Sequence, residues 1–401
     1  MTMQSKPLLR FKDFNDEWKK TKVSEIGNKI YGGGTPKTSE ESYWDGNLNW
    51  IQSSDLVEHD IFLSDTNKKI TNEGLINSAA KLISKDSITI VTRVGVGKLS
   101  LVPFDFATSQ DFLSISDLNF NKNFSSYLLY KVVQHEKRNV QGTSIKGITK
   151  DELLSKKLFV TNNFDEQSAI GELFSTLDDL LLSYKDNLTN YQSFKSAMLS
   201  KMFPKHGQTV PEIRLAGFDG EWERTKLGAL GSVAMNKRIF KDETSEDGEI
   251  PFYKIGTFGG VADSFISRAR FEEYKQKYPY PEIGDILISA SGSIGRTVEY
   301  MGEEAYYQDS NIVWLKHDNR LVNSFLKQFY SIVKWNGIEG TTIKRLYNKN
   351  ILETEIPLPS LEEQQAIGEL FSNLDDLISS TQSKIGELKT LKKKLLREMF
   401  I

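Results

Sequence analysis

The chain has 401 residues, of which 38% are hydrophobic and 11% aromatic, a formal charge of −3 and no cysteine. That length accommodates two domains with buried cores; the missing thiols exclude a disulfide framework and any thiolate metal site. No run of eighteen apolar residues exists, so no transmembrane helix is expected, and the slight acidity places any nucleic-acid surface in local clusters.

The N-terminus carries Lys6, Arg10 and Lys12 without an apolar block. It does not read as a secretory signal, and a cytoplasmic protein is expected. A repeated signature follows. Pro7, Arg10, Phe14, Glu17, Trp18, Thr21, Lys22 and Gly27 recur as Pro211, Arg214, Phe218, Glu221, Trp222, Thr225, Lys226 and Gly231. Trp18 and Trp222 are expected to pack where each globular part meets a helix, rather than to touch a ligand. Residues 20–160 then read as a compact mixed domain. Tyr31 to Pro36 is a loop, because three glycines and a proline suit neither a helix nor a central strand. Leu48 to Ile51 reads as a short strand and Ser87 to Thr92 as a buried one. Gly95-Val96-Gly97-Lys98 is the turn after it. Phe124 to Val133 reads as a helix. Residues 142–147 form a polar turn before the apolar stretch Leu153 to Val160.

The next stretch organises the chain. Glu166 to Leu180 reads EQSAIGELFSTLDDL, and Glu363 to Leu377 reads EQQAIGELFSNLDDL, thirteen of fifteen positions identical at an offset of 197. A repeat of this length divides the chain into two structural halves. Both copies read as long helices. The apolar stripe runs through Ile170, Leu173, Leu177, Leu180, Tyr184, Leu188, Tyr191, Phe194, Met198 and Met202. In the second copy it runs through Ile367, Leu370, Leu374, Leu377, Ile385, Leu388, Leu391, Leu395 and Met399, with Thr381 as its polar gap. Steps of three and four approach a coiled-coil pattern. Asn163 with Glu166, and Ser360 with Glu363, predict capping boxes. Pro204 and Gly207 stop the first helix. About 38 residues give roughly 57 Å of helix, a length suited to a spacer. Gly171 and Gly368, inside the helices, imply close approach by the other spacer helix or by a partner.

Residues 225–358 repeat the first domain's plan with different filling. Ile250 to Ile255 answers the Leu48 strand, and Asp285 to Ser289 answers Ser87 to Thr92. Ser293 to Arg296 answers Gly95 to Lys98, Gln308-Asp309 answers Gln110-Asp111, and Gly340 to Lys344 answers Gly142 to Lys146. Nearly copied helices with diverged loops describe a scaffold holding two different readers.

With the paired EQ-AIGELFS-LDDL helices, the GGGTP loop at Gly32–Pro36 and the GTSIKG and GTTIKR turns in view, the chain resembles the DNA-specificity subunit of type I restriction–modification systems. The resemblance covers essentially the whole chain. It implies an α+β architecture: two mixed α/β target-recognition domains separated by two long helices packed as an antiparallel coiled coil, a pseudo-two-fold internal repeat. On that plan residues 1–162 and 205–359 are the domains, and 163–204 and 360–401 the spacer helices. It also implies double-stranded DNA as ligand, two methyltransferase subunits and the motor-nuclease subunits as partners, and no catalysis or cofactor of the chain's own. The second half departs from the pattern. It has Ala234-Met235-Asn236-Lys237-Arg238 where the first has its glycine loop.

The helix length exceeds one turn of DNA, about 34 Å, so half-sites about one turn apart are within reach. Reading bases in the major groove requires donors and acceptors. Arg and Lys suit guanine, Asn and Gln suit adenine, and Ser or Thr fit either. On the glycine-rich and polar loops the candidates are Thr35, Lys37, Gln52, Ser53, Arg93, Lys98, Thr143, Ser144 and Lys146 in the first domain. In the second they are Lys237, Arg238, Lys254, Ser291, Ser293, Arg296, Thr341, Thr342, Lys344 and Arg345. Residues that read sequence should differ between the halves, and Arg93 opposite Ser291 is such a pair. Lys384 to Arg397 form a basic tail that tracks DNA phosphates or is a solvated helix face.

Enzymatic motifs are missing. A phosphate-binding loop at Gly95–Lys98 would need a Gly at Thr92 and a Ser or Thr at Leu99. No Asn-Pro-Pro-aromatic or Asp-Pro-Pro-aromatic motif is present. Asp178-Asp179 and Asp375-Asp376 diverge by about 100° on a helix, which suits solvated or partner-facing carboxylates better than a metal site. The four histidines are scattered. The competing readings are a coiled-coil scaffold with domains for non-DNA ligands and, third, a self-contained enzyme.

Overall fold

A computed structural model describes residues 6–140, 147–338 and 344–401. The candidates Thr143, Ser144, Lys146, Thr341 and Thr342 lie outside the described residues. The chain forms two compact units, Met1–Asp186 with Ser383–Ile401, and Asn187–Gln382.

The first unit runs β1 (Lys19–Lys22), β2 (Gly27–Gly32), β3 (Trp44–Ile51), β4 (Lys68–Ile70), α1 (Asn72–Ile76), β5 (Ser87–Val91), β6 (Leu99–Val102), β7 (Phe106–Thr108) and β8 (Phe112–Leu118). It continues with α2 (Lys122–Val140), α3 (Lys150–Ser155), β9 (Lys157–Val160) and the start of α4 (Phe164–Met202). Three sheets form, ordered β1-β9, β2-β8-β5-β6 and β4-β3-β7. Strand β5 is buried along its whole length. Its polar side chains are satisfied within the sheet: the Ser87 hydroxyl donates to Ser116 at 2.8 Å and Thr89 accepts from Ser114 at 2.9 Å.

The second unit runs β10 (Glu223–Lys226), α5 (Leu227–Leu230), β11 (Gly231–Ala234), β12 (Ile250–Tyr253), β13 (Phe265–Ile266), α6 (Arg268–Lys277), β14 (Ile286–Ser289), β15 (Thr297–Glu299), β16 (Tyr306–Tyr307) and β17 (Ile312–His317). Then come α7 (Asn323–Ile332), α8 (Asn348–Glu353), β18 (Glu355–Leu358) and the start of α9 (Leu361–Glu398). Its sheets are ordered β10-β18, β11-β17-β14-β15 and β13-β12-β16, the same plan strand for strand. Even the parallel strand pairing recurs, β3 with β7 and β12 with β16.

Several expected elements differ in extent. The Leu48 strand starts at Trp44, and Leu153 to Val160 splits into α3 and β9. Gly32 closes β2, so the glycine loop proper is Gly33 to Pro36. Its glycines serve close packing of backbone. A Cβ on Gly33 would lie 1.8 Å from the Ser109 carbonyl oxygen, and one on Gly34 2.2 Å from the Ala79 carbonyl carbon.

The repeated helix motif explains itself at the junction with each domain. Glu166 is fully buried and takes a two-bond grip from Arg10, at 2.5 and 2.8 Å. Glu363 takes the same grip from Arg214, at 2.8 and 2.7 Å. So only half of each expected capping box forms. Asn163 and Ser360 do cap their helices, accepting from the Glu166 N–H at 3.1 Å and the Glu363 N–H at 3.2 Å. The carboxylates turn away to the arginines, because a buried charge needs a charged partner more than a cap does. The next residue caps the helix of the domain. The Gln167 side-chain oxygen accepts from the Asn121 N–H at 2.7 Å, and that of Gln364 from the Val322 N–H at 2.9 Å. A Cβ on Gly171 would lie 2.9 Å from the Phe124 nitrogen, and one on Gly368 2.7 Å from the Ser324 Cβ. The close approach expected of another spacer helix or a partner is therefore made by the start of α2 and α7.

Each domain's aromatic cluster draws on the far end of a long helix. In the first unit Trp18 packs edge-on against Phe124 and Phe400. In the second Trp222 packs against Phe203 and Phe325. Both tryptophans thus sit at a domain–helix junction, as expected. The start of one long helix and the end of the other meet in each unit, so their pairing is antiparallel. Ion pairs Lys392–Asp178 in the first unit and Lys195–Asp375 in the second mark it. Each partner in one pair lies 197 residues from its counterpart in the other. The first aspartate of each doublet is therefore engaged within the chain, against the expectation of a solvated or partner-facing group; Asp179 and Asp376 are exposed. Asp178 also accepts from the Tyr127 hydroxyl at 2.7 Å. Burial and this carboxylate push the Tyr127 phenol far above its usual range.

The expected stripe is buried at Ile170, Leu177, Met202, Ile367, Ile385, Leu388 and Met399, but the buried face extends beyond it and misses some of its members. Phe174, Leu181, Leu199 and Phe371 are buried, while Leu180, Phe194, Leu377 and Leu391 are exposed. Thr381, the polar gap, is buried and satisfied by the Leu377 carbonyl at 2.6 Å. Lys392 is buried over the rings of Tyr127 and Tyr130, which removes it from any DNA-facing tail.

Candidate nucleic-acid interface

In the first unit four loops gather at one end of the central sheet. The Gly34 N–H reaches the Thr108 carbonyl at 2.8 Å, and the Trp50 indole donates to the Gly34 carbonyl at 3.1 Å. The Ser109 N–H bonds the Ile51 carbonyl at 2.9 Å, and the Thr92 N–H bonds the Asp111 carbonyl at 2.8 Å. Ile148 donates to the Thr92 carbonyl at 2.7 Å. The glycine loop, the segment after β3, the β5–β6 turn and the β7–β8 loop thus share one surface.

The candidates take distinct places on it. Thr35 is half-buried, and its hydroxyl donates to the Gln110 side chain. Lys98 lays its ammonium on the Ser53 carbonyl at 3.0 Å, which holds the turn to the segment after β3. Gln52 opens that segment, its N–H bonded to Asp55 at 2.9 Å. Arg93 and Lys37 are exposed. The turn itself requires left-handed backbone at Gly95 (φ 96°) and Gly97 (φ 112°). It is backed by α2, from which Gln134 donates to the Gly97 carbonyl at 2.6 Å. Lys137 on the same helix binds Glu58 and, as the main cause, holds that carboxyl below its usual range against the opposing effect of burial.

The second unit builds the same end from other chemistry. Arg238 is 59% exposed and donates from Nε to Asp309 at 2.9 Å. Lys237 is exposed and lies over the Tyr278 ring at 5.2 Å. Lys254 pairs with Asp263 at 2.8 Å, and Arg296 donates to the Phe258 carbonyl. Ser293 is exposed, its carbonyl taking the Ser289 hydroxyl. Ser291 is buried, its hydroxyl on Asn311 at 2.7 Å, and it bridges to the exposed Arg345. Lys344 is also exposed. The structure therefore gives the Arg93–Ser291 pair unlike surroundings, one solvent-facing and one internal. Leu346 donates to the Ala290 carbonyl at 2.8 Å, matching Ile148 on Thr92.

Two residues of this surface were not among the sequence candidates, Gln110 and Asp309. The signal was present, since both sit in polar pairs that recur between halves. The recurrence was misaligned by one position, however. The Gln308 N–H bonds the Tyr253 carbonyl at 2.9 Å, as Ser109 bonds Ile51, so Gln308 stands for Ser109 and Asp309 for Gln110. The second loop carries one more residue before its strand, with Ser310 at φ 52°. Among the described residues no group of three or more His, Asp or Glu could hold a metal ion.

Comparison with known proteins agrees with this arrangement. The profile of the type I restriction modification DNA specificity domain matches residues 15–190 and again 219–390. A type I restriction enzyme specificity subunit of Haemophilus influenzae is 54% identical over 156 residues, 39% of this chain and 40% of that protein. The MjaIX specificity subunit of Methanocaldococcus jannaschii is 22% identical over 418 residues, covering 96% of this chain and 92% of that one. The crystal structure of the S subunit from M. genitalium shares the fold at a TM-score of 0.65 and 17% identity, with 99% of both chains covered. The chain belongs to the type I restriction–modification DNA-specificity family, and its two domains are DNA-specificity domains.

Proposed function

We propose that this chain reads a split, asymmetric DNA sequence for a type I restriction–modification complex, one domain per half-site, without catalysis of its own. Its long helices hold two methyltransferase subunits, and motor-nuclease subunits join that core. The complex methylates adenine at the target and restricts DNA that lacks the mark. The observation that carries this reading is the duplication: one sheet plan and one helix junction built twice, with unlike chemistry confined to the loop ends. Two readers that recognised the same bases would have no reason to differ there. Two matched junctions also offer two similar docking faces, hence two methyltransferase copies.

The test is duplex binding by the complex of this chain with its methyltransferase subunits, followed by mapping of methylated adenines. The expected result is a two-part motif with a fixed gap and affinity that falls steeply with salt. Assembly without any DNA affinity would favour the scaffold reading. Methyl transfer by the isolated chain would overturn the non-catalytic one.

A further inference from the structure

The two loop ends can be superposed residue by residue through their strand pairings. Phe112 opposes Val91, and Ile312 opposes Ser289. Three residues further on, Ile115 opposes Ile30 and Leu315 opposes Val233. Ile30 and Val233 are therefore equivalent, and five residues past each come Thr35 and Arg238. On the facing loop Ser109 is equivalent to Gln308 by its hydrogen bond, which makes Gln110 equivalent to Asp309. The hydrogen-bonded pair Thr35–Gln110 of one domain thus occupies the place of the ion pair Arg238–Asp309 in the other.

Both pairs bridge the same two loops on an exposed surface, and both have one long side chain held by a short one. The Thr35 hydroxyl occupies one lone pair of the Gln110 oxygen. The amide retains a second lone pair and both N–H donors. Asp309 engages only the Nε of Arg238, leaving both terminal amino groups of the guanidinium. An oriented amide matches the N6 and N7 edge of adenine, and an oriented guanidinium the O6 and N7 edge of guanine. Other polar candidates at these ends, such as Lys98, Ser291 and Arg296, spend their donors on a neighbouring loop of the chain.

Building on the DNA-reading function proposed above, we propose that this shared position determines specificity, with Gln110 reading an adenine in one half-site and Arg238 a guanine in the other. Thr35 and Asp309 are positioning residues that fix the plane of the reading group.

The experiment uses the complex of the full chain with its methyltransferase subunits and a randomised duplex pool. The wild-type motif is established first. Gln110→Ala is expected to lower discrimination at one adenine of one half-site by about 5- to 150-fold and spare the other half. Arg238→Gln is expected to do the same at one guanine of the opposite half. Arg238→Lys keeps the charge and hence the salt dependence, but weakens the guanine preference, because an ammonium has no planar fork. Asp309→Asn weakens preference at that same base pair. Unchanged motifs in Gln110→Ala and Arg238→Gln, or a uniform loss of affinity across all sequences, overturn the proposal. A wild-type complex with no sequence preference removes the DNA-reading function itself, and this inference with it.

Discussion

The two ends of each domain behave differently under duplication. Where the domain meets the long helices, the halves share the same contacts: an arginine on a buried glutamate, a glutamine on a helix start, a glycine against that helix. At the loop ends they agree in backbone and diverge in side chains. A neutral Thr35–Gln110 pair in one domain corresponds to a charged Arg238–Asp309 pair in the other, and an α2 of 19 residues answers an α7 of 10. Attachment tolerates little variation because buried charge and close backbone contact each have few solutions. An exposed loop is free to change its chemistry once its backbone bonds are met.

Breaking the shared junction should therefore cost the most. Arg10→Ala leaves Glu166 buried with only the Trp18 indole at 3.4 Å, and Arg214→Ala leaves Glu363 buried without its ion partner. Each should lose about 3–5 kcal/mol in urea unfolding of the full chain. Equal losses are the expectation, and a loss under about 1 kcal/mol in either would contradict the equivalence of the junctions. Gly171→Ala and Gly368→Ala come next. Overpacking costs about 1–3 kcal/mol, and better helix propensity returns about 1, so a net loss of up to about 2 kcal/mol should appear in the same titration. Gly386, also within α9, has open space where its Cβ would go. Gly386→Ala should accordingly stabilise by about 0.5–1 kcal/mol; a destabilised variant would show that the helix interior is constrained there too. The smallest effect belongs to the loop end. Lys37→Ala should shift stability by no more than about 0.5 kcal/mol. In DNA titrations of the complex it should reduce the salt slope by about one if Lys37 touches a phosphate.

Much of the architecture was legible in the residues. The helix repeat, its stops at Pro204 and Gly207, and the strand at Ser87 follow from local chemistry that acts within a few residues. The loops at Gly33 and Gly95 were also placed correctly, although for different reasons. Gly95 and Gly97 need positive φ, whereas Gly33 and Gly34 make room for another backbone, and a sequence does not distinguish these uses. Site residues were less legible. Arg93 and Ser291 align as a pair, yet one is in solvent and the other bonded to Asn311.

By itself the sequence determined that there are two halves, that each carries one long helix, and that their loops differ, because periodicity, capping and repetition are properties of neighbouring residues. The tertiary structure alone decided where the buried face of those helices departs from the apolar stripe. Leu180 and Phe194 face out while Phe174, Leu181 and Leu199 face in. It likewise decided that Lys392 is internal and that Gln110 and Asp309 share a position. Those outcomes depend on residues far away in the chain, and burial is set by whatever the fold brings into contact.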